Sequence, residues 1–133
     1  MAIGIRERVK EGQKPAPTRA FSTKQEMTVA AAIGGHRTPN SGATMFGGKG
    51  DVHTQDGLFL IECKTKMTSA ASITLKKEWF EKNKQEMVFE GKEHEALAFN
   101  FGPNEPIHYI IDEYLFLELL NYLRAQKKNT KEN

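Results

Sequence analysis

The chain has 133 residues, 38% apolar and 27% charged, with a net charge of +2, four histidines and one cysteine. That length allows one domain with a sizeable core. No run is apolar enough to span a membrane, and a lone cysteine excludes an internal disulfide or a cysteine-built zinc site and suits a reducing cytosol.

Arg6, Glu7, Arg8 and Lys10 follow Met1–Ile5 directly, so the start lacks the apolar core of a signal peptide. A soluble, cytoplasmic protein with no membrane partner is expected. The charge is unevenly spread. Residues 1–24 carry six Lys or Arg against two Glu, and residues 124–133 carry four against one, which leaves the middle at −5. Basic ends on an acidic body suit contact with a polyanion. Solubilising tails would look the same, and charge alone leaves both readings open.

Residues 1–21 show no period, contain Pro15, Pro17 and Arg19, and read as a flexible basic arm, with a segment lying on the domain surface as the plain alternative. The domain proper is expected over 22–125. Ser22 reads as a helix N-cap with Gln25 as its partner. Met27, Val29, Ala30, Ala31 and Ile33 supply the apolar face, and Gly34-Gly35 ends the helix. Glu26 lies in the first turn, where it complements the helix dipole or serves a site. His36 to Gly50 is a small, polar loop with Ser41-Gly42 and Gly47-Gly-Lys-Gly50. Such glycine-rich backbone admits a phosphate, but Asp51 stands where a Walker A loop needs Ser or Thr. Arg37 and Lys49 suit phosphate contacts or a merely solvated loop.

Gly50-Asp51-Val52 opens a short strand, and Leu58 to Thr65 reads as a second. Asp56-Gly57 between them is a strong hairpin signal. Alternation puts Leu58, Leu60, Glu62 and Lys64 on one face and Phe59, Ile61, Cys63 and Thr65 on the other. Ser72 is expected to cap a helix from Ile73 to about Glu90 with Leu75, Trp79, Phe80, Met87 and Val88 on its apolar stripe. Ala96–Phe101 and His108–Ile111 read as strands. Asp112 caps a last helix, Glu113 to about Ala125, followed by a basic tail over 126–133. Tyr114, Phe116, Leu117, Leu119, Leu120, Tyr122 and Leu123 span most of that helix's circumference, more than one sheet can cover, so a dimer contact is expected there. His94 and His108 lack partners at metal-ligand spacing. The sum is an α/β domain with a central mixed sheet flanked by helices.

The hairpin would bring Asp51, Glu62 and Lys64 to one end of the sheet, where burial is costly without a use. Two carboxylates suit Mg²⁺, which takes oxygen ligands and keeps waters and substrate phosphates. The Cys63 peptide carbonyl could add an oxygen, and Lys64 could position or help deprotonate an attacking water. A buried Glu62–Lys64 salt bridge is the plain structural alternative. It leaves Asp51 and the glycine loop unexplained.

The ordered set of a helix glutamate (Glu26), Ser41-Gly42, Gly-Asp51-Val and Ile-Glu62-Cys-Lys64 resembles the PD-(D/E)xK nuclease superfamily. Within it the set is most similar to archaeal-type Holliday junction resolvases, including relatives carried by phages. The resemblance runs from about Ser22 to Phe101. It implies a restriction-endonuclease-like fold with Asp51 and Glu62 as metal ligands and Lys64 as the catalytic lysine. Glu26 would be a further acidic residue of the site, and Ser41 a loop residue needed for cleavage. It also implies Mg²⁺, with Mn²⁺ as substitute, and a homodimer that nicks branched DNA to leave 5′-phosphate and 3′-hydroxyl ends. Arg19, Arg37, Lys49 and Lys66 are then the expected contacts to DNA phosphates. Gly50 departs from the pattern where the proline would stand, and Lys24 alone remains of the basic residues usually flanking the helix glutamate. Other endonucleases of the superfamily, and a non-catalytic DNA-binding module, are the competing readings.

Overall fold

The computed structural model describes residues 15–38 and 51–132. Helix α1 (Pro15–Ile33) leads into strands β1 (Gly35–Arg37), β2 (Val52–Thr54) and β3 (Phe59–Lys64). Helix α2 (Lys77–Phe89) then crosses to β4 (His94–Phe99), followed by β5 (His108–Ile110) and helix α3 (Glu113–Glu132). The five strands form one sheet in chain order, antiparallel throughout except for the parallel β3–β4 pair. A parallel pair needs a crossover, and α2 supplies it. The expected mixed α/β class is what the chain adopts.

The β2–β3 turn is set by local chemistry. Gly57 takes a positive φ of 81°, which glycine adopts without steric cost. Asp56 Oδ1 accepts the Leu58 N–H at 3.1 Å, and Thr54 Oγ1 accepts the Phe59 N–H at 2.8 Å. The resulting register pairs Val52 with Ile61 and His53 with Leu60. A slip of one residue would move every β3 side chain to the opposite face.

Val29 and Ala30 of α1 pack on Val52, Ile61, Ala96 and Ala98, with Ile33, Phe59, Cys63, Ile107 and Ile111 at the margin. Alternate residues Leu60 and Leu97 are fully buried on the other face, where α2 lies against β3 and β4. Both faces of the central pair are therefore covered, as a parallel pair requires.

Several boundaries differ from the sequence expectation. Helix α1 starts at Pro15, so the last part of the expected arm is helical and Ser22 is interior, not an N-cap. Prolines are tolerated in a first turn because its N–H groups have no intrahelical partner. Gly34, at φ 67°, stops the helix. A Cβ on Gly35 would stand 2.2 Å from the His53 carbonyl oxygen, so only glycine lets β1 pair there. That strand replaces the first residues of the expected loop. Helix α2 begins at Lys77, four residues late, with Lys76 extended and no side-chain cap; β-branched Ile73 and Thr74 favour extended backbone. Strand β4 begins at His94 and releases Asn100 and Phe101 from the ladder. Asp112 caps α3 as expected, its Oδ1 accepting the Leu115 N–H at 2.8 Å. The helix then runs through the expected tail to Glu132, where Lys127, Lys128 and Lys131 complement its negative end. No helix among the described residues is long and apolar enough to cross a membrane.

One buried polar pair sits under α2. Asn83 Nδ2 donates to Glu95 Oε1 at 2.8 Å and to the Ala96 carbonyl at 3.1 Å. Asn83 Oδ1 is buried with no hydrogen-bond partner among the described residues. Burial raises the Glu95 carboxyl above its ordinary 4.5, against the opposing effects of the Asn83 bond and Lys84. A carboxyl raised on folding stabilises the fold when protonated and loses that contribution as pH climbs through the raised value. Glu95→Gln should therefore raise the melting temperature by a few degrees at pH 7, and the gain should vanish as pH falls below 4.5. A variant that melts lower at pH 7, or whose gain persists in acid, would refute this account.

Candidate active site

Asp51 stands just before β2 and is held from three sides. Its N–H donates to the Ile61 carbonyl at 3.1 Å, and its own carbonyl accepts the Thr38 N–H at 2.9 Å. Its Oδ2 accepts the Cys63 N–H at 2.8 Å. The carboxylate is thus tied to the backbone of β3 beside Glu62. The register explains why: Val52 pairs with Ile61, so Asp51 and Glu62 lie one residue beyond that pair, at the same end of the hairpin.

Glu62 and Lys64 share the α2 face. Lys64 Nζ lies 3.1 Å from Glu62 Oε2 and 4.4 Å from the centroid of the Trp79 ring on α2. Burial raises the Glu62 carboxyl, and Asp51 raises it further. The Lys64 pairing opposes both and does not win. On the α1 side, Glu26 is raised by burial and again by Asp51, while Arg37 pulls it down through an Nε···Oε1 ion pair of 3.0 Å. Asp51 therefore acts on carboxylates from both layers of the domain. Between them, the Cys63 thiol is pushed far up by burial, then by Asp51, Glu26 and Glu62.

Three carboxylates thus meet two cations at one end of the sheet. Among the described residues, no group of three or more His, Cys, Asp or Glu side chains is arranged to hold a metal ion. Asp51 and Glu62 remain a two-carboxylate set, and Mg²⁺ commonly takes one or two carboxylates while keeping its waters. Burial and then Asp51 raise the Glu62 carboxyl, and the repulsion from Asp51 is what a divalent cation would relieve. The donor chemistry fits Mg²⁺ or Mn²⁺. The Glu62–Lys64 salt bridge of the plain structural alternative does form, yet it accounts for neither Asp51 nor Glu26.

The other expected residues are scattered by comparison. Cys63 pairs with Ala98 within the sheet. Lys66 follows β3 and is half-buried. Arg37 ends β1 and pairs through its Nε with Glu26, and Arg19 lies within α1 rather than on an arm. Ser41, Gly42 and Lys49 lie outside the described residues.

Sequence reading missed a polar clamp beside the site. Buried Gln25 donates from Nε2 to the Lys64 carbonyl at 2.5 Å and reaches Asn100 Oδ1 at 3.5 Å. Thr65 Oγ1 donates to the same Asn100 oxygen at 2.7 Å, and Asn100 Nδ2 reaches the Glu105 carbonyl at 3.4 Å. The clamp fixes the end of β3 where the Lys64 side chain departs. It floors a 560 Å³ cleft that Lys24, Ile107 and Tyr109 also line. The sequence offered a signal for the clamp's neighbour only: Glu26 shares the helical stripe of Val29, Ala30 and Ile33, and in the structure both Gln25 and Glu26 are buried. Polar residues on a buried helix face need partners.

No family model matches the chain, and no curated protein and no solved structure matches it either.

The burial of Cys63, and after it the carboxylates around it, can be measured through the thiol. Only the thiolate reacts, so iodoacetamide at pH 8 should modify Cys63 more slowly than a free cysteine by at least about tenfold. Full reactivity should return in denaturant. Alkylation of the native protein at the free-thiol rate would mean that Cys63 is neither buried nor surrounded by negative charge.

Proposed function

We propose that the chain is a metal-dependent DNA endonuclease of restriction-endonuclease-like fold that cuts branched DNA, with the four-way junction as its preferred substrate. The observation that carries this reading is the meeting of Asp51, Glu62 and Lys64 at one end of the β2–β3 hairpin, with Glu26 brought in from α1. A structural ion pair needs one carboxylate. This site gathers three.

Each residue has a role that follows from its contacts. Asp51 and Glu62 would hold the cation, with the Cys63 carbonyl as a further oxygen. The Cys63 N–H fixes the orientation of the Asp51 carboxylate by binding its Oδ2. A bound Mg²⁺ supplies Lewis acidity at the phosphate and lowers the pKa of a coordinated water. Lys64, steered by Glu62 and by the Trp79 face, presents its ammonium to the negative charge that builds on the phosphate during in-line attack. Glu26 adds negative charge behind the site, and its Arg37 partner offers a guanidinium to a neighbouring phosphate. Departure of the 3′ oxygen leaves 5′-phosphate and 3′-hydroxyl ends. Phosphate contacts dominate such a surface, so binding should be salt-sensitive and nearly blind to sequence.

The test uses labelled four-way, flap and linear duplex DNA with Mg²⁺. The wild-type chain should cut the junction far faster than the linear duplex. Asp51→Asn and Glu62→Gln should abolish cutting while DNA binding holds or tightens, because each removes a charge that repels phosphate. Lys64→Ala should slow cutting by about 10²–10⁴-fold with metal binding, read by calorimetry, retained. Equal cutting of all three substrates would move the reading to another endonuclease type. Activity within about tenfold of wild type in Asp51→Asn or Glu62→Gln would remove that residue from the metal site. No cutting of any substrate would favour a binding module.

A further inference from the structure

A row of rings runs across the sheet from the candidate site. Lys64 on β3 pairs with Phe99 on β4, and Phe99 pairs with His108 on β5. Residues paired across a sheet share a face, so these three side chains line up at one end of the sheet, on the face where α2 lies. Trp79 of α2 begins the row, its ring centroid 4.4 Å from Lys64 Nζ. At the far end the Phe99 and His108 rings stack, with 5.3 Å between centroids and 28° between planes. Phe101, two residues past Phe99, closes against both. It meets Phe99 edge-on at 5.5 Å and 84°, and His108 at 5.9 Å and 70°.

These rings are not core. Trp79, Phe99 and Phe101 are half-buried and His108 is exposed, while the buried apolar set is aliphatic and holds none of them. The charge beside them is positive. On the two segments that meet at Trp79, the end of β3 and the start of α2, Lys64, Lys66, Lys76 and Lys77 outnumber Glu62 and Glu78. Ring faces next to a cationic track are how proteins hold single-stranded nucleic acid: the cations follow the phosphates and the rings take the bases. The geometry points to a shelf for unpaired DNA bases, in which a strand with its phosphate at Lys64 lays neighbouring bases on Phe99 and His108. Every base has a π-face, so the shelf accepts any sequence. A base inside a duplex has both faces covered by its stacked neighbours and cannot lie there. As a statement about the substrate this rests on the nuclease reading and sharpens it: the phosphate to be cut belongs to nucleotides that have left the helix, as at the centre of a branch.

Trp79 is the chain's single tryptophan, so its fluorescence reports what arrives at Lys64. The full chain is titrated in EDTA with an oligo-dT strand of about 12 nucleotides and with a blunt duplex of equal length. The single strand should quench Trp79 and bind at least about fivefold more tightly than the duplex. His108→Ala should weaken the single strand by about 5- to 100-fold and leave the duplex unchanged. His108→Phe should restore single-strand binding, because phenylalanine keeps the ring face and discards the imidazole's charge and hydrogen bonds. Circular dichroism should show both variants folded, since the side chain is exposed on an edge strand. A single strand that leaves Trp79 emission unchanged, a duplex that binds as tightly, or a His108→Ala chain that binds as the wild type does would each overturn the inference. The two readings fail separately. A chain that cuts junctions with Mg²⁺ but fails these metal-free titrations loses the shelf alone, and one that passes them but cuts nothing keeps the shelf and loses the nuclease.

Discussion

The hydrogen bond from the Cys63 N–H to the Asp51 carboxylate is the tie on which the site depends. It joins the residue before β2 to the end of β3, beside the backbone bond from the Asp51 N–H to the Ile61 carbonyl. Without it, the Asp51 backbone would still be held by Ile61 and Thr38, but its carboxylate would lose its tie to β3. With it, a carboxylate is fixed beside Glu62 by backbone, which costs no side-chain rotamer freedom on the β3 side. The Asp56-Gly57 turn performs the earlier step, since its register decides which face of β3 Glu62 and Lys64 occupy.

The second constraint is electrostatic. Glu26 and Glu62 are both raised by burial and by Asp51, so the folded protein keeps carboxylates where they repel one another. Arg37 and Lys64 offset part of this. Charges held together against solvation and repulsion are more common at working sites than in scaffolding, and a well-packed apolar set of equal volume would serve stability at least as well. The rest of the sheet follows that logic, with Val52, Ile61, Ala96 and Ala98 forming an unbroken apolar floor under α1.

Much of this was legible in the residues. The hairpin, the alternation along β3, the crossover helix and the Asp112 cap each rest on local signals that point the same way. The elements misjudged were those that tertiary packing decides. Pro15 and Pro17 looked like an arm because a proline-containing first turn and a coil share one local signature. Lys76 looked helical because Ser72 offered a cap, although Ile73 and Thr74 prefer extended backbone. Strand β1 has three residues and no pattern of its own; it exists because Gly35 admits the His53 carbonyl. At the site, the charged residues were readable by spacing. The clamp of Gln25, Thr65 and Asn100 was not, because its members are separated by 40 and 35 positions and meet only once β3 and β4 are side by side.

Helix α1 shows how the core and the site become one problem. Its buried face carries Glu26, then Val29, Ala30 and Ile33, so a single stripe is polar at one end and apolar for the rest. The apolar part seats the helix on β2, β3 and β4. Once it is seated, Gln25 and Glu26 have nowhere to go except the end of the sheet where Asp51, Cys63 and Lys64 stand. Gln25 then takes the Lys64 carbonyl, and Glu26 takes Arg37 from β1, so each buried polar group finds a partner. The position of the site glutamate is thus set by hydrophobic packing three and four residues away. Close packing makes that placement stiff, and the charged end of the hairpin inherits its geometry from the apolar floor beside it.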